Sequence, residues 1–283
     1  MSRISGLLAA ATLSCALVAP NASLAAPAPH GPDPTPESVR AAGPYAVSKI
    51  AVPDSATPGF GSATISYPTS TADGKFGAVA VSPGFTGPEG SIAWYGPALA
   101  SQGFVVITFN TSSLYDFPAA RGTQLLRALD YVTTSSAVAS RVDASRTAVV
   151  GHSMGGGGAI DAAKRRSALK AAVGLTPWAI DKTAPEDRSP TLIVDAQNDS
   201  TASPSAHGGP LYRGIPASTP KAHATLAGAG HLAPTKRNAA IQGLVVSWLK
   251  RYVDEDARYA PLVCPDAVAA PAGSLSAYAS SCK

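Results

Sequence analysis

The chain has 283 residues, of which 45% are hydrophobic and 14% charged, and its formal net charge is +4. This composition excludes a disordered chain and predicts a well-packed globular protein. The small positive charge is scattered, with no stripe of Lys and Arg interleaved with aromatic residues, so nucleic acid is not expected as a partner.

The first 25 residues are predicted to be a secretory signal peptide. Arg3 gives a positive start, residues 7–18 form an apolar run too short to span a bilayer, and 23–25 provide a cleavage site. No later segment is apolar for long enough to cross a membrane. We therefore expect a secreted, extracellular protein without stable membrane insertion. Residues 26–44, rich in Pro, Ala and Gly, are predicted to be an extended N-terminal arm, followed by a single domain over 45–283.

Apolar runs and helical spacing predict strands that alternate with helices. The strands are expected over 63–67, 77–82, 104–109, 147–151, 171–175, 191–195 and 222–226, and the helices over 91–102, 121–135, 155–167, 205–214 and 241–252. This alternation predicts an α/β fold with a doubly wound, mostly parallel sheet in a three-layer sandwich, whose first strands form an antiparallel edge. In such sheets the functional site lies at the C-terminal ends of the strands.

Residues 151–155 carry the pattern Gly-x-Ser-x-Gly between a predicted strand and a predicted helix. This context is typical of a nucleophile elbow, in which a tight turn presents Ser153 over the positive end of a helix. The turn needs small neighbours, because a Cβ at Gly151 or Gly155 would clash with the strand or the helix. Ser153 is therefore the candidate nucleophile.

A serine hydroxyl needs a base within hydrogen-bond reach, and the base needs an acid that orients it. His231 is the candidate base because it lies in a glycine-rich loop between the last predicted parallel strand and the last helix. His152 is next to the serine, but its side chain is expected on the other side of the turn. Asp199 and Asp195 both follow a strand between serine and histidine. Asp199 is favoured as the acid for its longer reach, with Asp195 as the alternative.

A tetrahedral intermediate also needs hydrogen-bond donors for its oxyanion. The N–H of Met154, the residue after the nucleophile, is one candidate donor. The N–H of Phe85, in the loop after the strand 77–82, is the other. The rings of Phe85, Trp178 and Tyr115 are candidates for the walls of an apolar acyl or aryl site, with core packing as the alternative for each.

Two cysteines, Cys264 and Cys282, remain after the signal peptide. An even pair in an exported chain favours a disulfide bond. Neither has a His, Cys or Asp cluster at metal-ligand spacing around it, so no metal site and no cofactor are expected.

Several long motifs resemble the actinobacterial cutinases and polyester hydrolases, which include the poly(ethylene terephthalate) hydrolases. The resemblance runs from about residue 31 to 282 and rests on 82–87, 91–94, 103–108, 151–158, 175–178, 248–251 and 258–259. It implies an α/β-hydrolase fold without a lid domain. It also implies Ser153, Asp199 and His231 as the catalytic residues, Phe85 and Met154 as the oxyanion amides, Trp178 as the substrate clamp, and a Cys264–Cys282 disulfide.

The chain departs from that family at a few site positions. Phe85 stands where Tyr is usual, Ala179 where His or Ser is common, and Thr201, a further candidate substrate contact, makes one wall of the cleft more polar. Thermophilic relatives bind calcium near the Asp and His loops. The matching positions here include Gln197 and Ala227, so a strong calcium site is not expected.

The resemblance and the residues together predict a secreted serine hydrolase of carboxylic esters that works through an acyl-enzyme. Polyesters such as cutin, aliphatic polyesters and PET-like polymers are the expected substrates, together with short soluble esters. A triacylglycerol lipase or general carboxylesterase is the alternative, and a non-catalytic binding domain with a decayed hydrolase fold is a third reading. The stretch from 178 to 191 is short and polar, which predicts an open groove without a lid, and the protein is expected to be a monomer.

Overall fold

The structure is a computed structural model that describes Met1 and residues 31–265 and 268–281. The predicted signal peptide lies outside these ranges apart from Met1, and Cys282 lies outside them too. In the part of the chain that the structure describes, no helix is both long and apolar enough to cross a membrane.

Nine strands in the described residues form one sheet. They are β1 (Val47–Val52), β2 (Ala63–Pro68), β3 (Phe76–Ser82), β4 (Phe104–Phe109), β5 (Val142–His152), β6 (Ala171–Leu175), β7 (Thr191–Ala196), β8 (Lys221–Leu226) and β9 (Leu275–Ser280). Their order across the sheet is β1-β2-β4-β3-β5-β6-β7-β8-β9. The six strands from β4 to β8 in this order run parallel, and β1, β2 and β9 are antiparallel to their neighbours.

Six α-helices in the part of the chain that the structure describes cover the two faces of this sheet. They are α1 (Pro36–Arg40), α2 (Tyr95–Ala100), α3 (Pro118–Thr134), α4 (Met154–Arg165), α5 (Gly208–Gly214) and α6 (Ala239–Tyr252). Buried residues of α1, α2 and α6 pack in one core cluster, and those of α3 and α4 pack in a second cluster on the opposite face. The predicted doubly wound α/β-hydrolase fold is therefore confirmed. The described stretch between β6 and β7 contains no helix.

The parallel strands are buried on both sides, which explains why they read as continuous apolar runs. All residues of β3, β4 and β6 are buried. Short apolar strands of this kind are recognisable in the sequence, and all seven predicted strands are present with boundaries within a few residues. The largest difference is β5, which begins at Val142 and not at 147. The two strands that sequence reasoning missed, β1 and β9, are the half-exposed edges of the sheet.

The N-terminal arm differs from the extended segment that the sequence predicts. Pro36–Arg40 form a short helix, which begins with a capping box between Thr35 and Ser38. Val39 is buried against the core, and the Gln102 side chain donates to the carbonyls of Ser38 and Ala41. Pro36 at the first helical turn, after Thr35, was the signal for this helix. Its packing against the domain is a tertiary effect.

Candidate active site

Ser153 occupies a sharp turn between β5 and α4. Its backbone has φ 55° and ψ −121°, in the left-handed half of φ space that residues with a side chain rarely enter. A Cβ on Gly151 would lie 1.9 Å from the Gly155 carbonyl oxygen, and a Cβ on Gly155 would lie 2.4 Å from that of Pro83. Both glycines are therefore required, as predicted, and the turn holds the serine at the C-terminal edge of the sheet.

The structure brings Ser153, His231 and Asp199 into one chain of hydrogen bonds. The Ser153 hydroxyl and His231 Nε2 are 2.8 Å apart, and His231 Nδ1 lies 2.7 Å from Asp199 Oδ2. The other oxygen of Asp199 accepts the N–H groups of Thr201 and Ala202 at 2.8 and 2.7 Å. A fully buried carboxylate is thus satisfied on both oxygens. A carboxylate partner at Nδ1 leaves Nε2 free to take the hydroxyl proton.

Asp195, the alternative acid, lies elsewhere. Its carboxylate is buried at the end of β7 and pairs at 2.6 Å with His223 Nε2 on the neighbouring strand β8. Because Asp195 is within β7 while Asp199 is in the loop beyond it, only Asp199 reaches the loop that carries His231. The reach argument from the sequence therefore agrees with the geometry.

Two side chains hold the main chain of His231, and sequence reasoning missed both. His152 Nε2 lies 3.0 Å from the His231 carbonyl oxygen, and the Thr176 hydroxyl donates to the same oxygen at 3.2 Å. Burial lowers the pKa of His152 to about 4, so the ring is neutral at neutral pH. A carbonyl partner assigns the proton to Nε2. The sequence predicts the His152 side chain on the other side of the turn from the serine; in the structure its ring centroid lies 5.2 Å from that of His231.

The two predicted oxyanion residues both lie in segments that adjoin Ser153. Met154 is the first residue of α4, and the first N–H groups of a helix have no partner within it. Phe85 follows Gly84, where an added Cβ would lie 2.9 Å from the Cβ of Ser153. The loop that carries the Phe85 amide is therefore packed directly against the serine.

Arg121, which sequence reasoning did not single out, anchors that loop. Its guanidinium is completely buried and donates to three main-chain carbonyls, those of Pro83 at 3.0 Å, Leu114 at 3.0 Å and Asp116 at 2.7 Å. Burial lowers its pKa to about 10, so the group remains charged. It ties the loop of residues 83–87 to the loop of residues 111–117. Nothing in the sequence signals this role, because the partners are backbone atoms.

Trp178 lies at the side of the cleft and is half-buried. Its backbone N–H donates to the Ser153 carbonyl at 2.9 Å. Its ring lies between those of Phe117, with centroids 6.4 Å apart, and His207, 5.6 Å apart. His207 Nδ1 also accepts the N–H of Ala179 at 3.3 Å. Sequence reasoning missed both neighbours of the Trp178 ring. Thr201 is exposed beside Asp199, at the rim of the site.

The surface around the site is apolar. The exposed large hydrophobic side chains of the described residues, apart from Met1, are Phe85, Leu114, Tyr115, Phe117, Ile180 and Leu232. All of them lie on loops that carry or adjoin the site residues. The Phe85 and Tyr115 rings meet edge to face at 5.7 Å. Exposed apolar residues that cluster in this way mark a binding surface for an apolar ligand.

The remaining predicted residues are only partly described. Cys264 lies at the end of a short 3-10 helix, while its predicted partner Cys282 lies outside the described residues. Among the described residues, no group of three or more His, Cys, Asp or Glu side chains is placed to hold a metal ion. At the positions matched to the calcium site of relatives, the Gln197 side chain accepts the N–H of Gly228 at 2.8 Å and so joins the Asp199 loop to the His231 loop.

Comparison with known proteins agrees with this geometry. A bis(hydroxyethyl) terephthalate hydrolase from Streptomyces coelicolor is 48% identical over 267 residues, which cover 94% of this chain and 86% of the relative. Cutinase est2 from Thermobifida alba is 46% identical over 92% of this chain and 87% of the relative. Cutinase cut1 from Thermobifida fusca is 44% identical over 99% and 88%, respectively.

A family model described as "PETase: PET hydrolase-like" matches residues 22–283. The match covers nearly the whole chain, and the relatives confirm the prediction of a carboxylic ester hydrolase. The chain therefore belongs to the PET hydrolase-like family of α/β-hydrolases.

Proposed function

We propose that this protein is a secreted serine hydrolase that cleaves the ester bonds of polyesters, and of short soluble esters, through an acyl-enzyme. The observation that carries the proposal is the chain of hydrogen bonds from Ser153 through His231 to Asp199, at 2.8 and 2.7 Å. It lies in a nucleophile elbow, next to the amides of Phe85 and Met154.

In the proposed mechanism, His231 Nε2 takes the hydroxyl proton of Ser153 as the serine oxygen attacks the ester carbonyl. The negative charge on the carbonyl oxygen is stabilised by the N–H groups of Phe85 and Met154. His231 then gives its proton to the leaving alcohol, and the acyl group remains on Ser153. Water then attacks the acyl carbon as it loses a proton to His231, and His231 returns that proton to the Ser153 oxygen as the acyl–oxygen bond breaks and the acid leaves. Asp199 keeps the imidazole oriented and stabilises its charged form.

Two observations support polyesters as the substrate class. The relatives named cutinase and bis(hydroxyethyl) terephthalate hydrolase match along most of the chain. The exposed rings of Phe85 and Tyr115 and the half-buried ring of Trp178 form an apolar surface on the loops around Ser153. Such a surface can receive a segment of a polymer from a solid.

The exported location, the monomeric state and the disulfide are parts of the same proposal. The disulfide is supported by the contact between the last strand and the Cys264 region, where the Tyr278 hydroxyl donates to the Val263 carbonyl at 2.8 Å. Cys282 follows the end of that strand by two residues in the sequence. Mass spectrometry of the exported protein, with and without reduction, measures both the bridge and the cleavage after residue 25.

The test of function uses three substrates side by side: p-nitrophenyl butyrate, an emulsified long-chain triglyceride and a polycaprolactone film. The wild-type protein is expected to hydrolyse the soluble ester and to erode the film. Ser153→Ala is expected to lose at least about 10³-fold on all substrates while the fold is retained. Activity on the triglyceride alone, with a steep rise in rate at its micelle threshold, would replace the polyester hydrolase with a lipase. A near-native Ser153→Ala would contradict the mechanism.

A further inference from the structure

A second apolar cavity opens beside the catalytic cleft, on the far side of Trp178. Its volume is about 280 Å³, which is more than the roughly 150 Å³ of an apolar cavity that accepts a benzene molecule. We name it the side groove. It is lined mainly by Phe117, Ala119, Gly157, Ile160, Ala179 and Ile180.

The walls of the side groove are apolar and two of them are unusually exposed. Phe117 is 52% exposed and Ile180 68%, and an exposed apolar pair at the mouth of a cavity favours an apolar occupant. The charged groups at its far end neutralise each other, since Lys164 Nζ lies 2.5 Å from Asp181 Oδ2 and also donates to the Thr183 carbonyl. Asp161, a further charged lining residue, pairs with Arg165 at 2.5 Å, so each charged group in the wall has a partner of opposite charge.

The side groove adjoins Trp178, the predicted substrate clamp. The ring centroid of its wall residue Phe117 lies 6.4 Å from that of Trp178, and its wall residues Ala179 and Ile180 follow Trp178 in the chain. Because Phe117 and Ile180 are both exposed, a chain bound along the Trp178 ring can continue over them to the mouth of the groove.

The length of the groove matches one repeat unit of a polyester. Helix α4 rises about 1.5 Å per residue, so the groove runs along it from Gly157, about 6 Å beyond Ser153, to Lys164, about 16 Å beyond it. A six-carbon hydroxy-acid unit has seven backbone bonds and an extended length of roughly 8 Å, on the scale of an extended peptide chain. The groove is therefore about 10 Å long, which is enough to hold one such unit.

We propose that the side groove is a subsite for the repeat unit one position removed from the scissile ester of the bound polyester chain. The proposal rests on the proposed ester hydrolysis at Ser153. It assigns the groove to an apolar aromatic or aliphatic segment of the substrate, and it makes Phe117 and Ile180 determinants of chain-length preference.

The experiment measures kcat/KM on soluble hydroxy-terminated oligomers of 6-hydroxyhexanoate with two, three and four units. In the wild-type protein the value is expected to rise about tenfold from two units to four, because several methylenes leave water in an open groove. Ala119→Phe places a ring in the groove and is expected to abolish this rise. Ala120→Phe, the same exchange at the next exposed position of α3 and outside the lining, is the matched control and is expected to keep it.

The ratio between long and short oligomers separates the outcomes. Failure of the wild-type protein to hydrolyse any oligomer or p-nitrophenyl butyrate would overturn the proposed function itself. Hydrolysis of all oligomers at one rate, or the same ratio in Ala119→Phe and wild type, would overturn the subsite alone. The subsite is also overturned if the ratio is unchanged and sedimentation shows that the wild-type protein is a dimer and Ala119→Phe a monomer. That result would assign the groove to an interface with a second copy of the chain. Calorimetric binding of the four-unit oligomer to Ser153→Ala, weakened about tenfold by Ala119→Phe and not by Ala120→Phe, would support the subsite without turnover.

Discussion

Arg121→Lys is expected to damage the oxyanion loop while it leaves the serine, histidine and aspartate in place. The guanidinium is completely buried and donates to the carbonyls of Pro83, Leu114 and Asp116. The lysine ammonium cannot reproduce this planar fork and reaches one of the three carbonyls. The Leu114 carbonyl keeps the N–H of Thr86 as a partner, so the ammonium leaves one of the other two carbonyls unsatisfied. At about 1–3 kcal/mol for a buried unsatisfied acceptor, the free energy of unfolding is expected to fall by about 2 kcal/mol.

The catalytic effect follows from the position of the Phe85 amide. Pro83 is two residues before Phe85, and Thr86 donates to the Leu114 carbonyl at 2.8 Å, so Arg121 fixes both ends of the segment. A displaced oxyanion donor costs about 10²- to 10³-fold in kcat. Because the loop is displaced and the donor is still present, we expect a fall of about 10²-fold in kcat for p-nitrophenyl butyrate, with KM changed by less than about threefold.

The assay compares kcat and KM, the affinity of a boronic acid that forms a tetrahedral adduct with the serine, and urea unfolding. The adduct uses the oxyanion donors, whereas the bound ester uses them weakly, so its affinity should fall along with kcat. Arg166→Lys is the matched control, since Arg166 pairs with Asp130 at the surface. A stability loss in Arg121→Lys with kcat within twofold of the wild type would refute the positioning role and leave a structural one.

Asp199→Asn should lower kcat by at least about 10²-fold more than Asp195→Asn, because only Asp199 contacts His231; the reverse order would give the acid role to Asp195. Burial lowers the pKa of His152 to about 4, so in mildly acidic solution the unfolded chain binds a proton at this residue and the folded chain does not. The free energy of unfolding should fall by about 3 kcal/mol from this group as pH drops from 6.5 to 4, and His152→Gln should remove that slope in urea titrations. Asp187 acts in the opposite direction, since burial raises its pKa to about 6. The stability that Asp187 contributes is fully present below its usual pKa near 4 and is lost as pH rises through 6. In Asp187→Asn the free energy of unfolding should therefore depend less on pH in this range than in the wild type. Identical pH profiles for wild type and His152→Gln, or for wild type and Asp187→Asn, would contradict the corresponding assignment.

The choice between the two aspartates shows what reasoning from reach can settle. A strand of known direction fixes the edge at which its loop lies, and the number of residues past the strand limits how far a side chain can extend. Asp195 is within β7 and pairs with His223 on β8, while Asp199 is beyond the strand end. The sequence favoured Asp199, the residue whose carboxylate contacts His231 in the structure, because this limit is local.

His152 shows where the same reasoning fails. The elbow fixes the direction in which the His152 side chain points. That direction does not tell which other segment of the chain packs against the ring. The loop that carries His231 returns from β8, and its carbonyl meets the His152 ring. Arg121 is a similar case. A buried arginine that binds only main-chain carbonyls leaves no complementary residue type in the sequence to pair it with.

The sequence by itself determined the alternation of strands and helices, the elbow at Ser153, and the order of serine, acid and base. These features depend on local spacing, on glycine at positions where a Cβ would clash, and on apolar runs that are buried on both faces. Only the tertiary structure decided how the loops from β3, β4, β6, β7 and β8 meet around the serine. The Arg121 anchor, the contacts to the His231 carbonyl and the side groove between α3 and α4 all join segments distant in the chain. These contacts depend on backbone atoms and on the fit between distant segments, and neither can be predicted from the identity of single residues.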